Sequence, residues 1–182
     1  MRFLYNFLTL PAYLFFLYYK RRNHLIQEDF DAWVNRHIKK SKSKHAAFVE
    51  LMFRLPEYRT LLYYRMPFAV RHFLNVFLRR TDYKISVGEL LGGALIVHGW
   101  NTIIGAKKVG KNLMIHHNCT IGWNHDGCPV IGDNVKIYPG AVVAGPISIG
   151  NNVTIGANCV VLEDVPDNSL CYGNPCVIKK KV

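Results

Sequence analysis

IGDNVKIYPGAVVAGPISIGNNVTIGANCVVLEDV, Ile131 to Val165, repeats every six residues. Ile131, Ile137, Val143, Ile149, Ile155 and Val161 hold one recurring place, and Val135, Ala141, Ile147, Val153, Cys159 and Val165 stand four residues after each. Neither set contains a charge. A fixed short period of this kind marks a β-helix, in which each hexad is a short strand plus a corner and successive coils stack on one another. The branched aliphatic fills the tube and the second position is a tight corner. Glycine often follows the aliphatic, as at Gly132, Gly150 and Gly156, where a sharp bend suits a residue without a side chain.

Counting upstream extends the period to Leu91, Val97, Ile103, Val109, Ile115 and Ile121 as inward positions. Ile121 and Ile131 are ten residues apart instead of six, so four extra residues within Trp123 to Val130 leave the tube as a loop. His98 follows Val97, and alternation along a strand turns its imidazole outward. His116 follows Ile115 three hexads later, so the two rings are expected in one outward column on neighbouring coils, about 4.8 Å apart. Mutual repulsion when both are protonated favours a neutral ring fit to act as a base.

The N-terminal half is of another kind. Residues 1–84 carry 16 Lys and Arg against 6 Asp and Glu, a net of +10, whereas residues 85–182 carry 7 against 6. No nucleic-acid-binding motif accompanies that charge, so nucleic acid is not an expected partner. Phe3 to Tyr19 is free of charge, contains Pro11 and is followed by Lys20, Arg21 and Arg22. It reads as a helix that either associates with an anionic membrane surface or buries its apolar side against protein. No cleavage site for a signal peptide follows it. Helical spacing places Phe30, Val34 and Ile38 on one face and Phe48, Leu51 and Met52 on another. Pro56 and Pro67 suit first helical positions before Leu61 and Leu62 and before Val70, Phe73, Leu74 and Phe77. Lys39 to Lys44 reads as a solvated linker. Five cysteines without a Cys-x-x-Cys pair suit a reducing, cytoplasmic compartment. The resulting plan is a helical region at 1–84, with 3–19 as the candidate membrane-associated segment, a β-helix at 85–178 and a basic tail at 179–182.

The hexads, the segment His98-Gly99-Trp100-Asn101-Thr102-Ile103-Ile104, the Ile131 to Val135 repeat and the closing Val165-Pro166-Asp167-Asn168 to Gly173-Asn174-Pro175 together resemble the hexapeptide-repeat acyltransferases, nearest to serine acetyltransferase-like members. That resemblance implies a left-handed parallel β-helix, a homotrimer with sites between prisms, and acetyl-CoA as the acyl donor, with no metal. It implies His98 as general base, because His98 resembles the histidine of the family's His-Ala-Thr-Gly segment. Asp82 is the candidate for the acid that orients that base, although Tyr83 lies closer to register. Backbone N–H groups or His116 and His117 would stabilise the oxyanion. Pro139, Gly140, Ala157 and Asn158 match positions that line the pantetheine groove, and Lys179 and Lys180, with Lys181, could reach the CoA phosphates.

Two departures bear on the acceptor. Cys128-Pro129 stands where serine acetyltransferases carry His-Pro, and Val97 stands where they carry an acidic residue before the catalytic histidine. Sugar and antibiotic acetyltransferases of the superfamily carry their base in such a loop, which makes His125 the rival. The expected acceptor hydroxyl belongs to L-serine or to a sugar of a surface-polysaccharide precursor, the latter placing the enzyme at the cytoplasmic face of the inner membrane through residues 3–22. A zinc enzyme of the carbonic-anhydrase type and a non-catalytic scaffold are the alternatives.

Overall fold

The computed structural model describes residues 2–38, 43–78 and 83–181, with backbone alone for 2–4. The chain divides into two compact units, 1–81 and 82–182.

The C-terminal unit is a parallel β-solenoid with three faces. On the first, β2 (Leu95–Val97), β4 (Met114–His116), β7 (Lys136–Ile137), β10 (Thr154–Ile155) and β12 (Ser169–Tyr172) stack in parallel, and β13 (Val177–Lys180) closes the end antiparallel to β12. The other two faces share β1 (Lys84–Leu90) and β3 (Ile103–Val109), each a continuous strand that spans a corner. From there one face continues through β5 (Thr120–Gly122), β8 (Val142–Ala144) and β11 (Val160–Val161), the other through β6 (Val130–Ile131) and β9 (Ser148–Ile149). Three inward columns of aliphatics fill the tube: Ile96, Ile115, Ile137 and Ile155; Ile104, Ile121, Val143 and Val161; Leu90, Val109, Ile131, Ile149 and Val165, all buried. Stacking makes this core continuous, because each rung covers the apolar face of the last.

Downstream of Val109 the count of six holds, and the four extra residues after Ile121 do leave the tube. Upstream it lands one residue off. The inward residues are Leu90, Ile96 and Ile104, whereas Leu91 and Val97 are half-buried and Ile103 is 45% exposed. The reason is local. Within β3 the step from Ile104 to Val109 is five residues, while the step from Ile96 to Ile104 is eight, so a shortened hexad and a lengthened one displace the straight count.

One corner is held by asparagine. Asn112, Asn134, Asn152 and Asn168 all adopt the left-handed conformation, with φ between 56° and 58°. Each of the first three donates its side-chain amide to the carbonyl oxygen of the next, at 2.9, 3.2 and 3.0 Å. Asparagine tolerates that backbone and can bond locally while doing so. Two residues earlier, glycine is enforced by proximity: a Cβ on Gly132 would lie 2.8 Å from the carbonyl of Gly150.

Among the described residues the N-terminal unit holds five helices: α1 (Arg2–Tyr19), α2 (His24–His37), α3 (Lys44–Arg54), α4 (Pro56–Tyr64) and α5 (Phe68–Phe77). Phe16, Phe30, Phe48 and Tyr58 cluster with ring centroids 4.9–6.5 Å apart, and Trp33 joins through Tyr58 at 5.7 Å. A buried ion pair joins Arg65 to Asp29 at 2.8 Å. α2 turns Ile26, Phe30 and Trp33 inward instead of the Phe30, Val34 and Ile38 stripe, because Ile38 already lies past the last turn. Pro56 opens α4, but Pro67 caps α5 from outside and Phe73 is exposed. Of the Lys39 to Lys44 linker, 39–42 lie outside the described residues, while Ser43 caps α3 and Lys44 begins it. α1, the expected first helix, buries one side against protein. Its Thr9, Ala12 and Phe16 are buried, its opposite side is exposed, and no described helix is long and apolar enough to cross a membrane.

The displaced register is open to measurement. Ile104→Ala should cost about 2–5 kcal/mol of unfolding free energy, and Ile103→Ala less than half as much, by denaturant midpoints. Equal losses would return Ile103 to the core.

Candidate active site

The corner between the first two faces carries most of the chemistry-bearing residues. In later coils it is a tight turn: His117 then Asn118, Pro139 then Gly140, Ala157 then Asn158, with Asn118, Gly140 and Asn158 left-handed. Backbone bonds link the turns vertically, from Gly140 N to the His117 carbonyl at 3.2 Å and from Asn158 N to the Pro139 carbonyl at 2.9 Å. The four residues expected to line the cofactor groove therefore fall in one column, and His117 heads it.

In the first coil two extra residues, His98 and Gly99, widen this corner. Trp100 then takes the place that His117 holds one coil on, since Asn118 N donates to the Trp100 carbonyl at 2.9 Å. His98 has a φ of 51°, and its ring is exposed. Gly99 must be glycine, because a Cβ there would lie 2.6 Å from Ile96 Cγ2 and 2.9 Å from Tyr83 Cδ1. The bulge is tied down: Trp100 N donates to the His98 carbonyl at 2.8 Å, and the Thr102 hydroxyl donates to the His116 carbonyl at 3.0 Å. A left-handed non-glycine residue costs of order 1–2 kcal/mol, a strain that neighbouring bonds must offset.

His98 and His116 do not share a column. The register pairs Val97 with His116, and His116 stacks on Tyr138 with centroids 5.2 Å apart. The ring sequence at the corner is instead His98, Trp100 at 5.6 Å, then His117 a further 6.4 Å away. His117 Nδ1 is buried with no hydrogen-bond partner among the described residues.

His125 sits elsewhere, at the tip of the loop between β5 and β6. Asn124 Oδ1 accepts from the amides of Asp126 and Gly127 at 2.9 and 3.2 Å, a local turn that presents His125 to solvent. Asp82 lies outside the described residues. Lys179 and Lys180 stand on β13 in pairing with Leu170 and Ser169. Lys179 lies 5.6 Å from the Tyr172 ring, and a hydrogen bond to Tyr172 raises its ammonium above the usual range. Trp100 escaped the count by six because the bulge that positions it breaks that count; the signal was the extra pair, His98 and Gly99, just before it.

The thiols read as structural. Burial raises Cys119 above its ordinary value, and burial followed by the neighbouring Cys176 pushes Cys159 and Cys171 up to about 12. Cys159 and Cys176 are 3.3 Å apart, sulfur to sulfur. Among the described residues no group of three His, Cys, Asp or Glu is placed to hold a metal ion.

Residues 128–163 match the family model of the bacterial transferase hexapeptide, six repeats. A serine acetyltransferase of Helicobacter pylori is 32% identical over 140 residues, covering 69% of this chain and 82% of that protein. The Neisseria gonorrhoeae serine acetyltransferase solved with serine aligns over 85% of this chain and 67% of its own, with a TM-score of 0.61 and 23% identity. A serine acetyltransferase solved with CoA aligns over 88% and 72%, with a TM-score of 0.67 and 22% identity. At those identities the solved structures establish the fold, and the curated relative establishes the family. Solenoid and corner define an acyltransferase of the hexapeptide-repeat class. Within it, this chain belongs to the serine acetyltransferase family.

Thiol accessibility supplies a test. At pH 8 a thiol titrating near 12 is thiolate in only about one molecule in ten thousand. Iodoacetamide followed by peptide mass spectrometry should label the half-buried Cys128 and leave Cys119, Cys159 and Cys171 unmodified until the protein is denatured.

Proposed function

We propose that this enzyme transfers an acetyl group from acetyl-CoA to the hydroxyl of L-serine, with His98 as general base. The observation that carries the reading is the single corner on which the exposed His98 imidazole and the Pro139, Gly140, Ala157 and Asn158 column lie together. CoA runs along that column with its thioester toward His98, and Lys179 and Lys180 contribute charge toward its phosphates. The remaining wall of the groove comes from a neighbouring protomer of a homotrimer.

An alcohol at neutral pH is a poor nucleophile until a positioned base takes its proton. His98 removes that proton as the oxygen attacks the thioester carbonyl. The C–O bond forms, and the carbonyl electrons collect on an oxyanion. Backbone N–H groups of the corner, with His117 or His116, stabilise that charge. Collapse breaks the C–S bond, and the imidazolium returns its proton to the departing CoA thiolate. Asp82 is the residue proposed to orient the base.

L-Serine is supported by the names of the relatives. A sugar hydroxyl is the second reading, and specific observations favour it. Trp100 and Trp123 are 59% and 72% exposed and offer flat apolar faces on which a pyranose can stack. Val97 and Cys128 also stand where the family's serine-handling residues are expected.

CoA release with L-serine, and separately with methyl glycosides of common hexoses, decides between them. Turnover with serine alone sustains the first reading, and turnover with a glycoside alone replaces it with the second. With the productive acceptor, His98→Ala should lower kcat about 10²–10⁴-fold, while His125→Ala should change it only a few-fold. The reverse order would move the base to the loop.

A further inference from the structure

α1 is apolar on both sides, and packing within the helical unit uses one of them. Thr9, Ala12 and Phe16 are buried, whereas Phe7, Leu10, Leu14 and Tyr18 are 62%, 47%, 58% and 52% exposed. Their spacing of three and four residues places them in one stripe along the helix. α5 extends it. Phe73 packs edge-on against Phe15 at 6.2 Å, and Phe68, Phe73 and Val76 are 65%, 49% and 82% exposed. Between the helices lies an open apolar groove of about 650 Å³, lined by Leu10, Leu14, Tyr18 and Phe73 among others.

The fringe of this face is cationic. Arg22 lies 3.9 Å over the ring of Tyr18, and Arg71 lies 5.1 Å from the ring of Phe68. Arg21 is exposed beside them. Neither α1 nor α5 contains an acidic residue. The first 84 residues carry a net +10, so a second copy docking face to face would meet like charge. An anionic lipid surface meets opposite charge and accepts the apolar stripe as well.

We infer that the α1–α5 face is a peripheral docking surface for an anionic lipid bilayer, lying in the headgroup region with Phe7, Leu10, Leu14 and Val76 toward the acyl chains and Arg21, Arg22 and Arg71 at the phosphates. α1 lies along the bilayer and does not span it, since its other side is occupied by the helical core. This surface stands independently of the acceptor and of the histidine that acts as base.

Flotation of the full-length protein with vesicles tests it. Phosphatidylcholine mixed with phosphatidylglycerol should capture the protein, and phosphatidylcholine alone should capture far less. Salt should release it, because exposed charges are screened within about 10 Å at 0.1 M. Leu14→Glu combined with Val76→Glu should abolish capture. Arg21→Glu should weaken it about five-fold or more, the share of one cation at such a surface. Both variants should retain the wild-type melting temperature and acetyl-CoA turnover in solution, since the altered side chains are exposed. Equal capture by both vesicle types, or none by either, would overturn the inference. So would a fall in solution mass on Leu14→Glu without any change in vesicle capture, which would assign the face to another protein copy.

Discussion

The rest of the structure depends on the requirement that each rung of the solenoid present its backbone and its aliphatics directly above those of the last. Parallel strands supply hydrogen bonds only in register, and the buried columns exclude water only if a branched side chain follows another without a gap. Everything irregular is therefore driven to the corners. There the backbone must enter the left-handed region, and asparagine or glycine appears because other side chains are strained in it. The asparagine ladder turns that necessity into a second line of bonds outside the core.

The same constraint explains why the corner between the first two faces can hold a site. A corner is the one place where added residues do not disturb the stacked strands. Two of them, His98 and Gly99, lift an imidazole out of the wall, and the rungs above and below continue unbroken. Four more, in the loop bearing His125, leave at the next corner along the chain. The solenoid thus separates what must be regular from what carries chemistry, and the chemistry is placed by insertions.

From Val109 onward the period was legible because hexads there are uniform but for one visible insertion. Upstream it was not, since β3 crosses a corner in five residues and the step before it takes eight, thirteen together where two hexads make twelve. That displacement paired His98 with His116, although the rings that meet are His98, Trp100 and His117. The four residues that the resemblance assigns to a pantetheine groove do lie in one column. Among the helices, amphipathic spacing located α3 well but misjudged α2 and α5. Hydrophobic pattern cannot tell a face that packs inward from one left uncovered, and both helices carry apolar residues on more than one side.

The hairpin made by β12 and β13 has a consequence for solubility. A solenoid that simply stopped would leave an open row of amides and carbonyls, a template on which other chains could polymerise. Reversal of direction at β13 fills that row on the first face with the protein's own strand. The strand then left at the margin carries Lys179 and Lys180, whose charges discourage edge-to-edge fibre growth.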